Sequence, residues 1–389
     1  MSFLILVVAI VLFIGLIITH ELGHFLVARR NGVVVEEFGI FFPPRLYKRV
    51  TKKGWLFSIN LLPLGGFVKM KGEHDTDVEP GSFGAASTWS KTKIMIAGVM
   101  VNLITGIFLL TILAWLGMPQ IVPNQFDIKG ASHVSRQEVL VYSVQKGSPA
   151  QKIGLKAENE IVALGRPGHP TTINSISDLQ TVTKQYAGQR VEIVYRNNGN
   201  QRVKFATLQT QTIVASTANT KNPKGYLGVS LVSLTIKKYS WWSAPVEALG
   251  LTWQVIKLTF VGLGHALAGL GKIIAGIVTG NNVARQHGQK IASSQVAGPI
   301  GIFVILKDGS VLGYQYMLFI ISIVALTLAI MNFLPIPALD GGRMWLMLIS
   351  RAFGMPLTAS FEELVNAIGM IVLLVLVALV TLVDVHRFL

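Results

Sequence analysis

An apolar run of about 20 residues has few folds open to it. In hydrocarbon the backbone must bond to itself, so such a run crosses a bilayer as a helix. Four runs of this kind occur here, at residues 3–27, 94–118, 314–336 and 365–383. The rest does not dilute them enough for an ordinary soluble protein, since 51% of the 389 residues are hydrophobic and the mean hydropathy is +0.55. There is no cysteine, which excludes disulfides, thiol catalysis and cysteine metal sites. The first run lacks the basic leader and the small-residue cleavage site of a signal peptide, so it reads as a retained span.

The net charge of +15 matters through its placement. The loop from Arg29 to Lys93 carries eleven Lys and Arg, including "RLYKRVTKK", and basic loops stay cytoplasmic. Both termini are then external, as is the chain from about residue 119 to 313. No basic blocks interleave with aromatics, so nucleic acid is not an expected partner. Residues 242–280 are apolar enough to suggest a fifth span. Lys257, His265 and Lys272 interrupt them at intervals of eight and seven, the mark of an amphipathic helix lying in the interface. Parity supports the surface reading. The run at 314–336 must start outside if Arg343 and Arg351 are to end inside, and an odd number of extra spans would invert it.

The expected architecture is a polytopic α-helical membrane protein with four core transmembrane helices, a re-entrant β-hairpin and an external α+β module. The first helix occupies 1–28, a cytoplasmic loop 29–93, the second helix 94–118 and the external module 119–233. An external amphipathic region covers 234–313, the third helix 314–342, a cytoplasmic segment 343–364 and the fourth helix 365–385.

Within the module, "VYSVQKGSPAQKIGLKAENEIVAL" reads as strand, short helix, strand. Ser148 is a good N-cap, Pro149 suits the first helical position and Gly154 suits the stop. Residues 175–189 read as a second helix, and "RVEIVYRNNGNQRVKFATL" as a hairpin turning at Asn-Asn-Gly-Asn. The "GSPAQKIGL…ENEIVALG" core resembles a bacterial PDZ domain, which often has Gly-Asp where this chain has Glu158-Asn159. The resemblance implies capture of a peptide C-terminus by strand addition. A small α+β module with no ligand is the alternative. "GYLGVSL" looks like the carboxylate-holding loop of such domains but sits at the end of the module.

One feature of the first span is costly to hold in a membrane. "HELGH" places His20, Glu21 and His24 near its end. His20 and His24 are four apart, which on a helix puts their Cβ atoms about 5–6 Å apart on one face. Two imidazoles so placed can hold one zinc ion, with Glu21 as general base toward a water. A polar patch where the helix leaves the membrane is the bland alternative.

A catalytic zinc site needs a third protein ligand. His74 lies among Glu73, Asp75 and Asp77 and reads as solvated surface. His133, His169, His265, His287 and His386 are all external on the topology above. Asp340, in "NFLPIPALDGGRM", sits at the cytoplasmic end of the third span, level with HELGH. A carboxylate at membrane depth costs about 2.5–3.5 kcal/mol without a partner, and zinc is such a partner. Capping of the following helix is the alternative role for Asp340.

HELGH in the first span with "NFLPIPALDGG" in a late one resembles the site-2 protease family of intramembrane zinc metalloproteases, most closely the bacterial type acting on membrane-bound anti-sigma factors. "HELGHFLVARRNGVVVEEFGIFF", "INLLPLGGFVKMKGE", "AGVMVN" and "SSQVAGPIGIF" extend the resemblance over nearly the whole chain. It implies zinc on His20, His24 and Asp340, with Glu21 as base. Asn332, upstream of the LDG, falls at the active site by resemblance, holding substrate or packing a helix. Asn102, in the family's Gly-x-x-x-Asn with Gly98, carries the same two readings.

The stretch "WLFSINLLPLGGFVKM" turns at Pro63-Leu64-Gly65-Gly66 and reads as a re-entrant hairpin whose open edge could pair with an unwound substrate, placing Gly65 and Gly66 at the substrate. A hairpin with only a packing role is the alternative. The family resemblance further implies a bacterial inner-membrane location, single-span substrates already trimmed outside, and the PDZ-like module on the outer face. Two departures are visible: one such module where relatives often have two, and a long apolar stretch from 241 to 289. A catalytically inactive membrane scaffold and a metal transporter are the competing classes. Transport needs polar residues through the membrane depth, and the third span offers only Ser322 and Thr327 between its outer tyrosines and Asn332.

Overall fold

The computed structural model describes residues 2–197, 199–220, 222–295, 299–310, 312–355 and 357–388. The hairpin residue 198 and the centre of "SSQVAGPIGIF", residues 296–298, lie outside the described residues. The chain divides into two units: 1–112, 245–310 and 317–389 form the first, and 113–244 with 311–316 the second.

In the first unit, helix α1 (Ser2–Arg30) is followed by β1 (Val35–Val50) and β2 (Leu56–Met70), then by helix α2 (Thr88–Leu116), whose last turn belongs to the second unit. The strands form a sheet of four short segments rather than the expected hairpin. Residues 66–70 pair with 35–40 through Ile40–Gly66 and Val35–Met70. Residues 56–59 pair with the other side of the same segment, where Phe38–Phe57 and Ile40–Ile59 advance together. They pair in turn with 45–50 through Lys48–Ser58 and Val50–Leu56. The two arms of "LFSINLLPLGGFVKM" are thus separated by residues 35–40 and do not face each other, which corrects the hairpin reading. The cause is tertiary. "VEEFGIFF" is itself an apolar strand former, and it supplies a partner on both sides at once.

The second unit is built on a sheet of seven strands. These are β3 (Met118–Pro119), β4 (Ser132–Val144), β5 (Glu160–Arg166), β6 (His169–Thr172), β7 (Arg190–Asn197), β8 (Asn200–Thr207) and β9 (Val229–Tyr239). Their order is β3-β9-β4-β5-β7-β8, with β6 on β5. Helices α3 (Pro149–Lys152) and α4 (Ile176–Gln185) accompany it, with the short α5 (Gln211–Thr217). Ser148 caps α3 with Pro149 following, and Gly154 adopts φ +80°, as its position after that helix requires. Ser175 and Asp178 close a capping box on α4. Val139, Val141, Ile161, Leu164, Leu179 and Ile193 lie in one core between helices and sheet. Glu158 stands at φ +72°, a conformation that favours glycine, and Asn159 Oδ1 accepts from Lys156 N at 3.0 Å. "GYLGVSL" does not end the unit. It leads into β9, which pairs with β4 from Val144–Val229 to Ser132–Tyr239.

The remaining helices are α6 (Ser243–Val278), α7 (Asn282–Gln295), α8 (Pro299–Ser310), α9 (Tyr314–Phe333), α10 (Asp340–Ala352) and α11 (Ala359–Phe388). Among the described residues, five helices are long and apolar enough to cross a membrane: α1, α2, α6, α9 and α11. With the sheets, this is the build of a polytopic membrane protein. In α6 a single 36-residue helix covers nearly all of the segment read as amphipathic. The third apolar run does not continue to residue 342. It stops at Phe333, because Pro335 and Pro337 cannot extend a helix, and α10 starts afresh at Asp340. Leu16 of α1, Leu306 of α8 and Ile321 and Ala325 of α9 share one buried cluster; Phe25 and Ala28 of α1, Phe38, Ile94 and Met344 share another.

Candidate metal centre and active site

Helix α1 carries His20 and His24 on one face, both only 7% exposed. Their rings meet edge to face with centroids 4.9 Å apart. Opposite them stands Gly98 of α2. A Cβ there would lie 2.3 Å from His24 Nε2 and 2.6 Å from His20 Nε2, so any other residue would fill the space between the rings.

The third group comes from the start of α10. Asp340 Oδ2 is 3.0 Å from His20 Nε2 and 3.2 Å from His24 Nε2, and the two Nε2 atoms are 3.3 Å apart. Asp340 does not cap α10, whose N-cap is Leu339 with no side-chain cap bond. The carboxylate is therefore free to reach the histidines. Gly341 and Gly342 allow this close turn. A Cβ on Gly341 would meet Phe333 O at 2.4 Å, and one on Gly342 would meet Ile336 O at 2.1 Å. Trp345 Nε1 donates to Phe333 O at 2.9 Å and ties α10 back to the end of α9.

His24 Nδ1 lies 2.8 Å from Ile94 O. A carbonyl only accepts, so Nδ1 carries a ring proton, and the neutral ring then presents its lone pair at Nε2. That lone pair faces the lone pair side of His20 and the Asp340 carboxylate. Acceptors gathered in this way need a proton or a metal cation among them. A tetrahedral zinc ion with bonds of 2.0–2.1 Å has ligand-to-ligand edges of about 3.3 Å. The observed edges of 3.0, 3.2 and 3.3 Å match that size, so the residues present fit zinc. Among the described residues this is the one group of His and acidic side chains close enough to hold a metal ion.

Asn102, four residues after Gly98, is 1% exposed and sits 3.2 Å from His20 Nδ1. A His20 ring that ligates through Nε2 keeps its proton on Nδ1, and the amide turned to present Oδ1 accepts it. Asn102 thus stands on the Nδ1 side of the His20 ring. Glu21 follows His20, and Gly66 of β2 packs on it, since a Cβ at Gly66 would meet Glu21 Cγ at 2.8 Å. Gly65 faces the Phe42 ring, 3.2 Å from its own would-be Cβ. Asn332 is half-buried in the last turn of α9.

Three participants were not marked in the sequence: the Ile94 carbonyl, which any residue could supply, and Gly341 and Gly342 as packing residues. His74 is not the solvated surface residue expected. It is half-buried and its Nε2 lies 3.2 Å from Glu363 Oε1.

Peptidase family M50 matches this chain over residues 8–376. A protein of Clostridium acetobutylicum named as a candidate zinc metalloprotease is 30% identical over 385 residues, covering 99% of this chain and 98% of its own. The regulator of sigma-E protease of Salmonella typhimurium is 27% identical over 460 residues, covering 97% and 98%. Its namesake in Escherichia coli is 25% identical over 478 residues, covering both chains fully at 100%. The chain belongs to Peptidase family M50 and is a site-2-type zinc metalloendopeptidase.

Proposed function

We propose that this peptidase hydrolyses a bond within the transmembrane segment of single-span membrane proteins, with His20, His24 and Asp340 as zinc ligands and Glu21 as the base. The observation that carries the reading is the meeting of His20 Nε2, His24 Nε2 and Asp340 Oδ2 within 3.3 Å of one another, from residues 316 and 320 apart in sequence. Zinc, when bound, supplies the Lewis acidity that polarises a peptide carbonyl and brings a water's pKa to about 7. Glu21 takes the proton of the attacking water and returns it to the leaving amine. Asn102 and the Ile94 carbonyl hold the two imidazoles in the ligating tautomer.

A helical substrate hides its peptide bonds. Residues 66–70 offer an answer: they pair with 35–40 on one side and, among the described residues, with no strand on the other, and Gly66 adjoins Glu21. An unwound substrate segment adds to that edge and lies extended before the base. Gly65, Gly66 and Asn332 are the substrate-side positions of this arrangement. The second unit, on the external face, screens trimmed substrates or holds the new C-terminus in a PDZ-like manner. The protein acts in a bacterial inner membrane. Relatives named for sigma-E regulation support substrates of the anti-sigma type, with signal-peptide remnants as the nearest variant.

Cleavage of a tagged single-span protein, truncated on its outer side and reconstituted with the purified enzyme, tests the reading. Cleavage that stops with a zinc chelator and returns with added zinc is expected. Cleavage indifferent to chelation, or confined to bonds outside the membrane span, would overturn it.

A further inference from the structure

Beyond the metal centre, the first unit holds a second site of definite chemistry. A cavity of about 750 Å³ opens where β2 ends, lined by the carboxylates of Glu36, Glu73, Asp77, Glu362 and Glu363. Against these five stand two fixed cations on the same wall, Lys69 and Arg343, with His74 between Glu362 and Glu363. Lys69 is engaged by Glu36 at 2.9 Å, and Arg343 by Glu362 at 3.3 Å and Glu73 at 3.7 Å. The cavity keeps a surplus of negative charge.

Glu362 gives this surplus a direction. The residue is only 6% exposed, yet among the described residues its Oε2 has no hydrogen-bond partner, and His74 Nδ1 lies 3.9 Å from it. Asn366 Oδ1, one turn further along α11, is also buried without a partner on the same wall. Two donors, His74 Nδ1 and Arg343 Nε, are left unbonded as well, but both are already beside carboxylates. Buried acceptors left open in an acidic cavity call for a donor that brings positive charge.

The cavity lies in line with the strand edge. Gly66 adjoins Glu21, whereas Lys69 and Met70 of the same strand line the cavity. Four residues of extended chain cover about 13 Å. On the topology proposed from the sequence that direction is cytoplasmic, since residues 35 and 70 pair just after the basic end of α1 at Arg29 and Arg30. Membrane proteins carry their excess Lys and Arg on that side, next to the span.

We propose that this acidic cavity receives the basic residues flanking a substrate's membrane span on the cytoplasmic side, about four residues from the strand position beside Glu21. The proposal rests on the strand-edge reading above. It makes the cavity a specificity site for an ammonium or guanidinium group.

The test uses one single-span substrate with a Lys-Arg cytoplasmic flank and its twin with Gln-Gln, cleaved by full-length enzyme in liposomes. The readout is the ratio of their kcat/KM values within each enzyme. Wild type should favour the basic flank by about three- to tenfold, through KM, the scale of one or two partly exposed ion pairs. The variant Glu73→Gln/Glu363→Gln should bring the ratio close to one. A wild-type ratio of one, or a preference that survives in the variant, overturns the proposal. The chain has no cysteine, so disulfide trapping reads docking without catalysis. In a Glu21→Gln background, a cysteine in the substrate flank should trap with Glu363→Cys, and one in its span with Val68→Cys. Trapping at 68 alone overturns the cavity proposal, and trapping at neither position overturns the strand-edge reading with it.

Discussion

At the scale of the residue, the centre depends on what is small as much as on what ligates. Gly98 has His24 Nε2 2.3 Å from where a Cβ would stand. Gly98→Ala is expected to displace both imidazoles, lower bound zinc well below one per chain and cut hydrolysis about a hundredfold, the effect of a misplacement near 1 Å. Metal analysis of the purified variant beside its cleavage rate checks this; full zinc with full activity would count against the geometry. Asn102 separates two roles. If it holds His20, then Asn102→Ala should weaken zinc by about 10- to 100-fold in a chelator competition. If it held substrate, KM would rise and zinc would stay. HELGH was legible because its chemistry is written in a spacing of four residues along one helix. Asp340 was legible through depth in the membrane. The partner of Asn102 was not, since an amide inside a span can bond to any neighbouring helix and only packing selects His20.

At the scale of the element, the start of α10 is the least tolerant piece. Its first turn folds against the carbonyls of residues 333, 334 and 336, and Gly341 and Gly342 leave the room. Gly342→Ala should push the turn outward and carry Asp340 from the histidines. The expected result is loss of zinc and of cleavage with helix content unchanged by circular dichroism. Retained zinc at one per chain would contradict this. The break before α10 could be read from Pro335 and Pro337, which outweigh the apolar run that continues to Ile336. The sheet could not be read in the same way. Strand content in "FSINLLPLGGFVKM" is local, but its pairing with 35–40 on both sides is a tertiary choice. The same holds for β9, whose eleven residues find their partner β4 between 85 and 107 positions upstream, from Val144–Val229 to Ser132–Tyr239. By contrast the capped helices α3 and α4 and the hairpin at 190–207 rest on local turn and cap chemistry, and these lay open in the sequence.

At the scale of the whole molecule, five helices among the described residues could cross a membrane and parity limits how many do. On the topology proposed from the sequence, residues 245–310 begin and end on the external face and make an even number of crossings. Among the described residues, α6 alone of its helices is long enough to span, which favours none. A single cysteine at Gly280 should therefore react with an impermeant reagent from the same side as one at Gly199; reaction from the opposite side would place α6 across the bilayer. The second unit carries its own pH dependence. Burial raises the Asp127 carboxyl, but bonds from Lys237, Tyr239 and Ser132 outweigh it and hold the group below the usual carboxylate range. A depressed native pKa stabilises above the unfolded value of about 3.9 and fades as pH falls through the native one. Asp127→Asn should lower hydrogen-exchange protection of β4 and β9 at pH 7, with the gap from wild type narrowing below about pH 4. A gap that stays constant through that range would rule out the carboxylate as its source. The most direct test of the central claim compares purified wild type with Glu21→Gln in liposomes, measuring zinc per chain and cleavage within the span of one substrate. One zinc per chain in both and cleavage in wild type alone are expected. Equal cleavage by the two, or zinc lost from Glu21→Gln, would contradict it.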